Sequence, residues 1–354
     1  MARAATIKDV AEAAGVATAT VARVLKDRGY VADDTRARVL DAVAATGYRP
    51  NSLARSLKQS RSYVLGHLLK STVPNPFYVE VARGAEERAR ARGYTVLSSN
   101  VQHDAEAERR AVDTFLGWRA DGLIFSTPTD AANVEATHAR GVPLVQVERP
   151  RTQVGHRIVV RNYGPAVEAM RHLTDLGHRR IAYVGAELLP ETGPAALYGY
   201  VERERFEAYR DAMRALGAYD AGLVRFGEAY TVDLPSAHGH GYRATRELLE
   251  GRERPTAILA SNDILAAGAL QALHEAGLRC PDDVSVVGFD DTLAGFLAPL
   301  LTTVRLPARR LGDTAAALLI DQIEGAIAPG DQSLALDAEL VVRASTAPPP
   351  LPRP

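Results

Sequence analysis

The chain is poor in sulfur, in lysine and in long apolar runs. Cys280 is the single cysteine among 354 residues, so no intramolecular disulfide can form and no zinc site can be built on cysteines. Every apolar stretch is short and broken by polar residues, so no segment is long enough to span a bilayer. The beginning of the chain lacks the apolar stretch of a secretory leader, and Thr6 and Ile7 run straight into a charged amphipathic segment. G-x-x-x-x-G-K-[ST], H-E-x-x-H, G-x-S-x-G and a glycine-rich dinucleotide turn are all missing, which points away from an enzyme and away from a bound cofactor. His238 and His240 in HGHG have no third ligand nearby and read as a solvated loop rather than a metal site. Lysine is scarce, four residues against 38 arginines; with abundant alanine this fits a GC-rich coding sequence and carries no functional argument. These absences favour a cytoplasmic protein with no membrane partner.

What is present is ordinary in amount and uneven in placement. At 46% hydrophobic and 24% charged, the chain can bury large cores, and its length suggests two or three domains. Residues 1–62 carry eleven Lys/Arg against six Asp/Glu, net +5, and the remainder carries 31 against 37, net −6. A basic head on an acidic body is the pattern of a nucleic-acid-binding module attached to a domain of another kind.

The head reads as three short helices. Ile7, Val10, Ala11 and Ala14 form one apolar stripe, Thr6 can cap the first turn with Asp9 three residues on, and Gly15 ends the helix. A second helix puts Val21, Val24 and Leu25 on one face and turns Thr18, Ala19 and Arg23 the other way. Asp33 and Asp34 open a third helix with Val39, Leu40 and Val43 inward, closed by Gly47. The pattern alone fits any small three-helix bundle. With the tight glycine turn between the first two helices it also fits a helix-turn-helix, whose second helix enters the major groove.

The residues themselves are more specific. TIKDVAEAAGVATATVARVL, followed by YVADDTRARVLDAVAATGYRPNSLARSLKQSRS, resembles the DNA-binding headpiece of the LacI/GalR repressor family almost without a gap from Thr6 to Ser62. The resemblance implies that Thr18 and Ala19, with Thr20, begin the base-reading helix, and that Arg23 lies one turn on, where it can offer two hydrogen bonds to guanine. It implies that Thr6 and Lys26 touch phosphates, which position without specifying sequence. The chain departs from the family at Ala17, Lys26 and Ala32, where Ser, Asn and Ser are common. Thr18 or Thr20 would then supply any cap on the second helix, and Asp33 or Asp34 on the third.

After Pro50, NSLARSLKQ can form a short helix with Leu53 and Leu57 on one face. A segment this short is marginal in isolation and could serve as an ordinary linker. The resemblance implies instead a hinge helix that folds on DNA beside the same segment of a second subunit. Leu57 would be wedged into the minor groove, Arg55 and Lys58 would lie near phosphates, and Ala54 would be a further DNA-binding position.

From Tyr63 onward, apolar runs alternate with amphipathic stretches: YVLGHLL, TVLSS, GLIFS, PLVQV, IVV, IAYVG, AILAS and VSVVGF. Such runs separated by helices imply parallel sheets covered on both faces. The expected fold is thus an all-α helix-turn-helix headpiece plus an α/β periplasmic-binding-protein-like core of two Rossmann-like lobes. Expected boundaries are 1–49 for the headpiece, 50–62 for the hinge, 63–162 with 292–325 for the N-terminal lobe, 163–291 with 326–346 for the C-terminal lobe, and 347–354 for a disordered tail.

In open parallel sheets ligands bind beyond the carboxyl ends of strands. Glu148, Asn262, Asp263, Asp290 and Asp291 follow strand candidates there. Family effector positions map to Phe77, Glu148, Arg205, Tyr230, Asn262 and Asp290. Carboxylates, an amide and an arginine with flat rings suit vicinal hydroxyls. The sequence thus predicts a sugar-responsive repressor of carbohydrate-utilisation genes, acting as a homodimer on palindromic double-stranded DNA, with a purine-responsive repressor as the alternative and a solute-binding receptor without DNA function as a more distant one. The tail APPPLPRP carries no heptad, so no tetramerising coiled coil is predicted.

Overall fold

The computed structural model describes residues 5–25, 29–48, 61–69, 75–102, 104–186, 200–227, 239–251 and 253–350. Lys26, the hinge positions Ala54, Arg55, Leu57 and Lys58, and Tyr230 lie outside the described residues. The chain divides into two compact units, 1–62 and 63–354.

The first unit contains helices α1 (Ile7–Ala14), α2 (Thr18–Leu25) and α3 (Asp33–Thr46). Thr6 donates both its backbone N–H (2.7 Å) and its hydroxyl (2.8 Å) to the Asp9 carboxylate, which fixes the start of α1. Gly15, at φ 66°, ends it in a left-handed conformation that a residue with a side chain resists. Val10, Ala11 and Ala14 meet Val21, Val24, Val39 and Ala42 in a small core. Leu40 is not part of it: one position on from Val39, it is turned about a quarter of the circumference away and stands exposed. α3 starts at Asp33 with Ala32 in the capping position and no side-chain cap. Asp33 and Asp34 therefore act there as charges at the helix's positive end rather than as caps.

The second unit begins with β1 (Val64–Leu69), α4 (Phe77–Ala91), β2 (Thr95–Asn100), α5 (Ala105–Gly117), β3 (Gly122–Ser126), α6 (Ala131–Ala139), β4 (Leu144–Val147) and β5 (His156–Val160). It continues through α7 (Tyr163–Asp175), β6 (Ile181–Ala186), α8 (Tyr200–Ala215), β7 (Val224–Gly227), α9 (His240–Leu249), β8 (Ala257–Ala260), α10 (Asp263–Glu275) and β9 (Ser285–Asp290). It closes with β10 (Thr302–Arg305), α11 (Ala308–Glu324), β11 (Ser333–Leu336) and β12 (Glu339–Val341). Two six-stranded sheets result, ordered β11-β5-β4-β3-β1-β2 and β12-β10-β9-β8-β6-β7. All pairings in the first are parallel, and in the second only β12 runs antiparallel, against β10. β3, β4, β6, β8 and β9 are almost wholly buried, as strands covered by helices on both faces must be.

The chain passes between lobes three times, at 161–162, 306–307 and 337–338. Two expected boundaries are corrected by this. Residues 292–325 do not all return to the N-terminal lobe, because Thr302–Arg305 pairs in parallel with β9 and extends the second sheet. Residues 326–346 do not all belong to the C-terminal lobe, because Ser333–Leu336 pairs with β5 of the first. β10 and β11 are only four residues each, too short to show periodicity of their own. Nor does a loose tail begin at residue 347. Ser285 Oγ donates to the Ala347 carbonyl (3.1 Å), which also lies 2.9 Å from His178 Nε2.

α4 and α11 lie backbone to backbone in the first lobe. A Cβ built on Gly84 would stand 1.9 Å from the Arg309 carbonyl, and one on Gly312 would stand 1.8 Å from the Val81 carbonyl. Arg88 closes the pair with a bidentate bond to Asp313 (2.8 and 2.9 Å), and Arg92 reaches Asp321 and Glu324. Since the obstructing atoms are backbone, Gly312→Ala must push the helices apart. The expected cost is about 1–3 kcal/mol or more, read as a lower thermal midpoint, with Arg88→Ala, a half-exposed pair, costing less.

Candidate ligand cleft and DNA-facing helix

Each lobe turns the carboxyl ends of its strands toward the other, and the loops leaving those ends are strained. Thr127 after β3, Glu148 after β4, Asp290 at the end of β9 and Asp291 next to it have φ of 57°, 70°, 105° and 57°. Non-glycine residues adopt such values at an energetic cost that the surrounding structure must hold in place. Here the surrounding structure is a buried polar cluster.

On the first lobe, Glu148 Oε2 accepts from the Thr127 hydroxyl (2.7 Å) and the Tyr78 hydroxyl (3.0 Å), and Arg149 lies 3.5 Å from its other oxygen. On the second, Arg205 of α8 is 4% exposed. Its Nε donates to Asn162 Oδ1 (2.9 Å), its Nη1 donates to the Ser261 carbonyl and lies 3.8 Å from Asp290 Oδ1, and the guanidinium sits 4.4 Å over the Phe289 ring. Asn75, in the first lobe just before α4, donates to Asp290 Oδ2 at 3.2 Å and so joins the two lobes directly. The Asn262 side chain caps α10 through Leu265 N–H (2.9 Å), and Asp263 accepts from Thr303 Oγ1 (2.7 Å) and from the N–H groups of Thr292 (2.9 Å) and Leu293 (3.2 Å).

Burial dominates the ionisation of these acids. It pushes the Asp290 carboxyl up to about 7; Arg205 opposes the rise, while Asp263 and Glu148 add to it. Burial likewise pushes Asp263 up to about 6, and raises Glu202, one helical turn before Arg205, against the pull of that arginine. Glu202 accepts a 2.6 Å bond from Tyr183.

The structure gathers Glu148, Arg205, Asn262 and Asp290 around the strand ends. Phe77 is different: it is 2% exposed and packs edge-on against Tyr78, and its N–H fixes Asn75 through a 2.9 Å bond. Its ring is therefore part of the first-lobe core, and its backbone is what reaches the cleft. Asn75, Tyr78, Thr127, Arg149, Asn162 and Ser261 were not singled out from sequence. Thr127 and Ser261 directly follow strands, where the strand-end rule would have found them; Tyr78 and Asn162 show no signal short of the fold. Asp291 is engaged elsewhere, pairing with Arg305 (2.7 Å) and Arg343 (2.7 Å). A concavity of about 660 Å³ with Asp290 on its wall opens between Pro76 and Glu80 of the first lobe, the 291–296 loop and the crossover at 305–310. Among the described residues no group of acids, histidines and cysteine could hold a metal ion, and no helix is long and apolar enough to cross a membrane.

In the headpiece, Thr18, Ala19 and Arg23 stand exposed on α2 opposite Val21 and Val24, and Thr20 is half-buried. Thr6 is occupied by Asp9 at the start of α1, which leaves its backbone carbonyl within the helix and its hydroxyl at the edge.

A helix-turn-helix with a free polar face, carried on one chain with two α/β lobes that converge on a buried charged cluster, defines a ligand-responsive DNA-binding regulator. Comparison with known proteins agrees. Residues 6–51 match the model for bacterial regulatory proteins of the lacI family, and residues 170–346 match that for a periplasmic binding protein-like domain. The HTH-type transcriptional repressor PurR of Erwinia tasmaniensis is 34% identical over 324 residues, 90% of each chain. The ribose operon repressor of Escherichia coli K12 is 34% identical over 323 residues, 90% of this chain and 93% of that one. The lac repressor dimer bound to operator and the anti-inducer ONPF superposes with a TM-score of 0.78 at 29% identity, covering 98% of this chain and 100% of that one. A complex of the regulator CelR with cellobiose gives 0.67 at 30% identity, covering 96% and 99%. The chain belongs to the lacI family and is a DNA-binding transcriptional repressor, not an enzyme.

The raised carboxyls give a pH signature. Unfolded, these aspartates titrate near about 3.9, so between there and about 7 the folded protein holds protons that the unfolded chain has released. Stability is greatest at the acid end of that window and falls as pH rises through it. Thermal midpoints measured from about pH 5 to about pH 8 are expected to decline in the wild type and to flatten above about pH 6 in Asp290→Asn.

Proposed function

We propose that this repressor controls carbohydrate-utilisation genes, and that a small sugar in the cleft between the lobes governs its hold on a near-palindromic operator. The observation that carries the reading is the cleft cluster itself. Glu148, Arg205 and Asp290 are buried with amides beside them, a set of donors and acceptors suited to several hydroxyls at once. Buried polar groups without partners are costly, so a ligand that enters must replace the bonds these groups now make to one another, and a polyhydroxylated ring can do so. The names of two relatives, a ribose operon repressor and a cellobiose-bound regulator, fit this class. The PurR relative favours a purine in the same cleft as the second reading.

The protein acts in the cytoplasm as a homodimer, its two recognition helices reaching successive major-groove faces. Thr18, Ala19, Thr20 and Arg23 face base edges, and Thr6 and Lys26 face phosphates. Ala54, Arg55, Leu57 and Lys58 form the hinge contacts, with Leu57 between base steps. Glu148, Arg205, Tyr230, Asn262 and Asp290 form the effector set, with Phe77 beneath them in the first-lobe core. Sugar binding rotates the lobes, separates the paired hinges and releases DNA.

The test is a thermal-shift screen with D-ribose, cellobiose and hypoxanthine, followed by operator titration with and without whatever binds. A sugar that raises the midpoint and weakens operator binding supports the reading; a response to hypoxanthine alone replaces the sugar with a purine. Arg205→Ala and Asp290→Ala are expected to lose the response while still binding operator. Arg23→Ala is expected to lose about 1–3 kcal/mol of discrimination at one guanine position, and Leu57→Ala to weaken operator binding without touching effector affinity.

A further inference from the structure

We infer that Asn162 is the positioning residue that ties the effector arginine to the first lobe, so that engagement of Arg205 is passed to the end of β5 through one side-chain amide. This rests on the reading of the cleft as the effector site and names how that site is connected.

Asn162 lies on the first crossover, between β5 of the N-terminal lobe and α7 of the C-terminal lobe, and is 1% exposed. Its two amide atoms face opposite ways. Oδ1 accepts from Arg205 Nε at 2.9 Å, and Nδ2 donates to the carbonyl of Val160, the last residue of β5, at 2.9 Å. Its backbone N–H is also held, by Glu204 of α8 at 3.0 Å. Asn162 bonds the effector arginine directly, whereas the charged pairs near the crossovers lie on the surface, Arg305 with Glu339 (3.0 Å) and Arg161 with Asp337 (2.6 Å). Such exposed pairs are weak.

The guanidinium is divided among distinct neighbours. Nε is committed to Asn162 and Nη1 to Ser261 and Asp290, and among the described residues Nη2 has no hydrogen-bond partner. A ligand engaging Nη2 pulls on a planar group whose Nε, on the same edge, is anchored to the crossover. The fork is rigid, so a shift at Nη2 is a shift at Nε, and the Asn162 amide carries it to the end of β5. A donor on one side and an acceptor on the other make Asn the fitting residue: no carboxylate can donate to Val160, and no aliphatic side chain can hold either partner.

Asn162→Asp separates the two bonds. It is nearly isosteric and keeps the acceptor for Arg205, but places an oxygen against the Val160 carbonyl. The experiment titrates operator with and without the probe that binds the wild type, taken from D-ribose, cellobiose and hypoxanthine. In the wild type the probe is expected to change operator affinity by at least about fivefold, the lower end of ordinary allosteric coupling. In Asn162→Asp probe affinity is expected to stay within about threefold while the operator response falls below about twofold. A purely structural role would lower the thermal midpoint and leave that ratio intact, and a wild-type ratio in Asn162→Asp overturns the proposal. Should Asn162→Asp fail to fold, Asn162→Ser, too short to reach both partners, takes its place with the same expectation.

If none of the three probes binds the wild type, the effector reading fails and the connection is still decided without ligand. Spin labels at Trp118→Cys and Leu216→Cys, exposed sites on opposite lobes, in a Cys280→Ala background, report the interlobe distance. Asn162→Asp is expected to broaden a narrow wild-type distribution; an unchanged distribution overturns the inference.

Discussion

Asp290 is a carboxylate placed where a carboxylate is costly. It is buried, it sits at φ 105°, and its nearest cation is 3.8 Å away on a guanidinium already shared with Asn162 and Ser261. Two elements hold it there: β9, whose buried run ends on it, and Asn75, which reaches it from the other lobe. The consequences spread outward from this arrangement. The strain at Thr127 and Glu148 is held by their bond to each other; Arg205 is drawn over Phe289 and between the strand ends; and at the strand ends Asn75 and Asp290 join the lobes through polar groups. Polar contacts at the strand ends can be exchanged for contacts to a ligand at small net cost.

Much of this was legible in the sequence, for identifiable reasons. The central strands β3, β6, β8 and β9 are largely apolar, buried runs, and Gly15 and Gly47 punctuate the headpiece as left-handed helix ends. Glu148, Asn262 and Asp290 could be named because strand ends are marked by the change from apolar to polar or charged residues. Partner choice was less visible. Asn262 gives its oxygen to its own helix, Asp291 is taken up by Arg305 and Arg343, and Phe77 is buried beneath the cleft rather than lining it. In each case residue type matched the role, and the geometry assigned the atoms to something else.

The crossovers were legible only in part. The first was marked by the change of half near residue 162. The others hinge on β10 and β11, whose assignment to a sheet depends on which edge is open rather than on their own composition. Thr302, Thr303 and Val304 fill the edge beside β9; Leu336 fills the edge beside β5. Pairing across such sequence distances leaves no local trace.

The contact of Gly84 with the Arg309 backbone, and of Gly312 with that of Val81, also has a bearing on synthesis. The first lobe is completed by a helix and a strand encoded more than 140 residues after its first five strands end. A nascent chain that has delivered β1 to β5 therefore emerges with the part of its sheet over β3 to β5 that α11 covers, and the groove of α4, still open, and it stays so while the whole central part of the second lobe is made. Domains ordinarily fold as they leave the ribosome, in order. Here the earlier lobe must wait for the later one, and its apolar surface is what a chaperone, or a neighbouring chain, meets in the interval.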